Sequence, residues 1–189
     1  MATWFCHGDP RYPFLWETGP QPAARWHGPK DGPVTYLADT PDGAWAEFLR
    51  HEEITDPADL RGVTRRMWAV EVPDTVLTDA PRARLSTDVL TGDPESYAAC
   101  RAHALELRRR GAQALVAPSA ALQAGGARGE RVSSGVHGAE ERDGQVLALF
   151  GGVWTDVRAW AAVDVGAPTP RQLSLVRHFR SRSSAPARG

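Results

Sequence analysis

A chain of 189 residues with 42% hydrophobic and 24% charged residues has the makings of one folded domain with a real core. Its formal net charge of −1 offers no basic field for nucleic acid or an anionic membrane. No run approaches the roughly 18 apolar residues of a membrane span. Residues 1–11 have neither the basic nor the apolar region of a signal peptide, and two cysteines, Cys6 and Cys100, make no disulfide framework. The expected setting is cytoplasmic, with reduced thiols.

Residues 8–33 are punctuated by glycine and proline too densely for a helix, yet carry Tyr12, Phe14, Leu15, Trp16 and Trp26. A loop this aromatic should lie against the domain and wall a pocket. Val34-Thr35-Tyr36-Leu37-Ala38 reads as a strand with Val34 and Tyr36 on one face and Leu37 on the other. A helix follows to about His51. Thr40 suits the N-cap, Pro41 the first helical position and Asp42 the positive helix end. Ala44, Trp45, Phe48 and Leu49 form its apolar stripe, and Glu47 falls outside it, free to face a cleft.

A second strand spans Arg66 to Val72, and turn signals mark Asp74 to Asp93 as a loop. A second helix over about Pro94 to Arg110 carries Tyr97, Cys100, Ala104 and Leu107 on one face, with Gly111 placed to end it. Arg108, Arg109 and Arg110 then complement the negative helix end, a simpler account than nucleic-acid binding. Ala114 to Ala117 is a short buried strand ending at Pro118-Ser119. Residues 123–144 read as a mobile polar loop, Gln145 to Phe150 as a strand and Leu173 to Phe179 as another, while Trp154 to Trp160 is undecided between helical and extended. The expected organisation is one domain over 1–179 and a disordered tail over 180–189. Strands and helices alternate without regular βαβ repetition, which favours α+β.

Several standard chemistries are missing. The sequence contains no phosphate-binding G-x-x-x-x-G-K-[ST] loop, no dinucleotide G-x-G-x-x-G after a strand, no H-E-x-x-H and no G-x-S-x-G elbow. His51-Glu52-Glu53 has the wrong spacing for a metal site. Taken singly, Arg25 is an ordinary surface charge, Tyr36 a core aromatic, Glu47 a solvated helix residue and Ser119 a turn hydroxyl.

Together, four segments say more. Ala24-Arg25-Trp26-His27, Gly32-Pro33-Val34-Thr35-Tyr36-Leu37-Ala38, Ala44-Trp45-Ala46-Glu47-Phe48-Leu49-Arg50-His51 and Gly111-Ala112-Gln113-Ala114-Leu115-Val116-Ala117-Pro118-Ser119-Ala120 resemble the RES-domain family. That family is named for an Arg, a Glu and a Ser. The resemblance places these at Arg25, Glu47 and Ser119, with Tyr36 as a fourth site residue. It implies an ADP-ribosyltransferase-like fold, a split and mainly antiparallel sheet with flanking helices. It also implies degradation of NAD, by hydrolysis or with phosphate as acceptor, and a toxin neutralised by an Xre-like antitoxin.

The residue chemistry agrees with this. Breaking the nicotinamide–ribose bond develops oxocarbenium character, which the Glu47 carboxylate would stabilise. An Arg25 fork suits a pyrophosphate. A Tyr36 ring suits a flat cationic nicotinamide, and the Ser119 hydroxyl suits a ribose or phosphate oxygen. The leaving group already carries a positive charge, so no metal is called for. Transfer of ADP-ribose to a macromolecule, and a non-catalytic nucleotide-binding module, are the alternatives; the oligomeric state stays open.

Overall fold

The computed structural model describes residues 1–14, 21–132, 134–151 and 157–180. In chain order the elements are β1 (Ala2–Gly8), β2 (Val34–Ala38), α1 (Pro41–His51), β3 (Arg65–Val72), α2 (Asp74–Asp79), α3 (Thr87–Thr91), α4 (Tyr97–Arg109), β4 (Ala114–Pro118), β5 (Glu130–Val132), β6 (Val136–Gly138), β7 (Gln145–Phe150), β8 (Arg158–Gly166) and α5 (Pro170–Ser174). Short 3-10 turns cover Pro57–Gly62 and Pro94–Ser96.

Six strands form one sheet in the order β4-β7-β2-β1-β3-β8, every neighbouring pair antiparallel, and β5 and β6 form a separate hairpin. The protein is therefore α+β with a mainly antiparallel sheet. The sheet is split at its centre. β1 pairs with β3 along its whole length and β2 pairs with β7 along its whole length, but β1 and β2 meet only at Phe5 and Ala38. Beyond that contact the two strands diverge and leave a wedge between the half-sheets.

Strand periodicity assigns the two faces. Trp4 of β1, Leu37 of β2, Val70 and Val72 of β3, and Leu147 and Leu149 of β7 share one apolar cluster on one face. The opposite face carries two clusters. Val34 of β2, Leu115 of β4 and Ala148 of β7 pack with Cys100 and Ala104 of α4. Ala38 and Met67 pack with Ala44, Trp45, Phe48 and Leu49 of α1. The α1 and α4 clusters thus flank the wedge, and the site lies between them.

The capped α1 forms as its sequence dictates: the Thr40 side chain accepts from Gly43 N–H at 2.9 Å, Pro41 opens the helix, and the whole apolar stripe is buried. Gly111, with φ +89°, ends α4 in the conformation glycine tolerates. Of the arginine trio, Arg108 donates to the Asp31 carbonyl and stacks over Phe150, and Arg110 pairs with Glu106 at 2.7 Å. Cys6 and Cys100 are free thiols.

Other segments differ from the sequence reading. Residues 2–8 form a central strand that their composition does not announce, with Trp4 packed in the core and Phe5 to Gly8 running along the cavity. Asp74 to Asp93 holds two short helices, one contributing Val76 and Leu77 to the core. Residues 123–144 include the β5–β6 hairpin, turning through Ser134 and Gly135, both at positive φ. Leu173 to Phe179 is not a strand. A capping box between Thr169 and Gln172 nucleates helix there, and only Val176 makes an isolated bridge, to Leu122. Of the undecided Trp154–Trp160 segment, the part from Arg158 belongs to a strand and 152–156 lie outside the described residues, as do Leu15, Trp16 and 181–189. No helix among the described residues is long and apolar enough to cross a membrane.

Candidate functional site

The wedge opens into a cavity of about 630 Å³, within the usual range for small-molecule sites. β1 contributes Phe5 to Gly8 on one side, β2 contributes all five residues on the other, and α1 contributes Glu47, Phe48, Arg50 and His51. The aromatic loop closes it with Tyr12 and residues 21–27, so that loop does wall a pocket. Arg25, Tyr36 and Glu47, drawn from a loop, a strand and a helix, border this one cavity. Ser119 is buried at its edge between two lining residues, Pro118 and Ala120.

Glu47 is oriented from the end of β4. Ser119 Oγ donates to Glu47 Oε1 at 2.8 Å and accepts from the backbone N–H groups of Leu122 (3.0 Å) and Ala121 (3.3 Å). A hydroxyl has one proton to give and two lone pairs, so all of its bonding capacity is committed. The Ser119 backbone is fixed as well, donating to the Gly144 carbonyl at 2.8 Å. In this arrangement the hydroxyl faces the carboxylate and the turn after β4, not the open cavity.

Tyr36 is held by its hydroxyl. The phenol oxygen accepts from Trp26 N–H at 3.1 Å and lies 3.0 Å from His27 Nδ1. Burial raises the phenol pKa, so the group keeps its proton. Burial likewise lowers the His27 pKa and favours a neutral ring there. The Ala24–His27 turn that carries these groups closes with Ala24 N–H donating to the His27 carbonyl and is tied to the α4 helix by Arg101, which donates to the Ala24 carbonyl at 2.8 Å.

Arg25 is buried and points at the segment before α4. Nη2 donates to the Gly92 carbonyl at 2.7 Å, Nη1 to the Val89 carbonyl at 3.1 Å and to Ser96 Oγ at 3.2 Å, and the guanidinium lies 4.4 Å over the Tyr97 ring. Its fork is therefore occupied largely by the protein's own oxygens. A second arginine, which the sequence does not single out, mirrors it. Arg50 Nη2 donates to the same Gly92 carbonyl at 2.9 Å, Nη1 donates to the Ala120 carbonyl, and the guanidinium lies 4.4 Å over the Phe179 ring. Burial and the neighbouring Arg25 charge depress its pKa from the usual arginine value. The clue to Arg50 was its spacing, since residues three apart share a helix face, as Glu47 and Arg50 do.

Further along β1, His7 Nδ1 lies within hydrogen-bonding distance of Arg65 Nη2 at 3.1 Å, and its ring packs edge-on to Phe48. Burial, aided by the Arg65 charge, holds the His7 pKa at about 3. Arg25, Arg50 and Arg65 thus border the cavity against the carboxylates of Glu47 and Asp9, an excess of guanidinium suited to an anionic ligand. Among the described residues, no group of three or more His, Cys, Asp or Glu side chains is placed to hold a metal ion.

With this geometry in place, the RES domain family model matches residues 3–129, about two thirds of the chain. The chain belongs to the RES-domain family. No curated protein matches it. Among solved structures, a chain from the crystal structure of the M. tuberculosis MbcT–MbcA toxin–antitoxin complex aligns with a TM-score of 0.57 at 16% identity, over 93% of this chain and 88% of that one. At that identity the likeness speaks for the fold alone. In this RES-domain protein Arg25, Tyr36 and Glu47 line one wedge in the sheet, and Ser119 bonds the Glu47 carboxylate at its edge.

Proposed function

We propose that this RES-domain protein is a toxin-type enzyme that cleaves the nicotinamide–ribose bond of NAD, passing ADP-ribose to water or phosphate. The observation that carries this is the Glu47 carboxylate, fixed by Ser119 at 2.8 Å on the wall of a cavity it shares with Arg25 and Tyr36.

In this reading the bond between the ribose carbon and the nicotinamide nitrogen breaks, and its electron pair neutralises the pyridinium. The ribose carbon takes on positive charge as the leaving group departs, and the Glu47 carboxylate, fixed on the cavity wall, stabilises that charge. Water or phosphate then forms the new C–O bond, releasing a proton to solvent when water is the acceptor. Ser119 acts by holding the carboxylate in place. Tyr36, fixed through its hydroxyl by Trp26 and His27, leaves its ring for stacking on nicotinamide. The cationic wall made by Arg25, Arg50 and Arg65 favours the pyrophosphate. The toxin–antitoxin origin of the similar structure supports an antitoxin partner that silences this chain, and NAD as substrate supports a cytoplasmic setting.

The test is incubation of the purified protein with NAD, with and without phosphate, followed by separation of the products. Nicotinamide release with ADP-ribose, or with ADP-ribose 1-phosphate when phosphate is present, is expected. No nicotinamide release would overturn the proposal. Release accompanied by stoichiometric labelling of a protein or nucleic acid would change the acceptor and leave the bond assignment intact.

A further inference from the structure

The chain beyond the family-matched residues 3–129 returns to the cavity. After α5 it runs as a strap over the turn that follows Ser119. Arg177 N–H donates to the Ala121 carbonyl at 2.6 Å, Gln123 N–H donates to the Leu175 carbonyl at 2.9 Å, and Val176 bridges to Leu122. These bonds carry Phe179 to the cavity wall, where its half-buried ring has one face against the Arg50 guanidinium at 4.4 Å.

We infer that Phe179 is a ligand-contacting residue that stacks on the adenine of the dinucleotide. This rests on the reading of the site as an NAD site. A flat aromatic ring bordering a nucleotide-sized cavity is a stacking platform, since every base offers a π-face. The choice between the two bases follows from charge. The nicotinamide of NAD is cationic, and Phe179 already carries a cation on one face. A second cation on the other face would meet a ring whose electrons are drawn toward Arg50, with like-charge repulsion across it. Neutral adenine meets no such penalty. Tyr36, anchored through its hydroxyl, has no guanidinium stacked on it among the described residues and suits the cationic base.

The experiment compares the full-length wild type with Phe179→Ala, Phe179→Leu and Phe179→Tyr. Turnover is measured with NAD and with nicotinamide mononucleotide, which lacks the adenylate half, and ADP binding is measured by calorimetry. In the Ala and Leu variants the KM for NAD and the Kd for ADP should rise about 10-fold, within the range of base–aromatic stacking. Their kcat on NAD and their KM for nicotinamide mononucleotide should stay within about 2-fold, and Tyr should restore wild-type values. Leu keeps apolar bulk over Arg50, so its loss isolates the flat ring. An unchanged KM and Kd in the Leu variant, or an equal rise for both nucleotides, would overturn the inference. Absence of NAD turnover in the wild type would sink the proposed function, while the ADP measurement would still decide whether Phe179 stacks on adenine.

Discussion

Ser119 and Glu47, 72 residues apart in the chain, meet at 2.8 Å, with the hydroxyl donating and the carboxylate accepting. The turn after β4 thereby aims a residue of α1 into the wedge between the half-sheets. Because that hydroxyl also accepts from two backbone N–H groups, one side chain links the stability of the turn to the position of the carboxylate.

Replacing Glu47 by Gln keeps the volume and the hydrogen bond from Ser119 but removes the negative charge. Nicotinamide release should fall by 100-fold or more, within the usual span for losing one electrostatic stabiliser, about 10² to 10³. The melting temperature should stay within a few degrees of wild type. Activity near wild type would remove Glu47 from the chemistry.

Ser119→Ala should damage both folding and turnover. It leaves two buried N–H groups without an acceptor, at a cost of about 1–3 kcal/mol each, and frees the Glu47 carboxylate to change rotamer. Urea unfolding and nicotinamide release measured on the same preparation should both fall. A stable variant with full activity would show that the turn and the carboxylate do not depend on this hydroxyl.

Arg25→Ala should weaken NAD binding and also destabilise the protein, since the Val89 and Gly92 carbonyls lose a buried donor. Arg25→Lys keeps the charge but not the fork, so it should restore part of the stability and less of the affinity. An unchanged apparent NAD affinity in both variants would place Arg25 in the scaffold alone.

The pH dependence of stability should carry the signature of His7. Its folded pKa of about 3 lies below the unfolded value of 6.5, so below pH 6.5 the unfolded chain binds a proton that the folded protein refuses. The stability it contributes is complete above that pH and is lost progressively as pH falls toward 3. Between pH 7.5 and pH 5 the loss should be about 2 kcal/mol from this group. His27 and His178, also lowered, act in the same direction. His7→Gln should flatten the wild-type slope between pH 6.5 and 5 in urea unfolding; an identical slope would show that His7 is protonated as readily folded as unfolded.

What the sequence determined by itself was local. The Thr40 cap, Pro41 and the apolar stripe define α1, the alternation of Val34 to Ala38 defines β2, and Gly111 ends α4, because these depend on neighbours within a turn or two of chain. The family motif added which residues should converge. Only the tertiary structure decided how. β7, late in the chain, inserts between β2 and β4, and that strand order sets Ser119 against Glu47. The single Phe5–Ala38 pairing opens the cavity, and the returning strap brings Phe179 onto Arg50. Such contacts arise from strand order and long-range packing, where the partner lies scores of residues away, and no local periodicity encodes it.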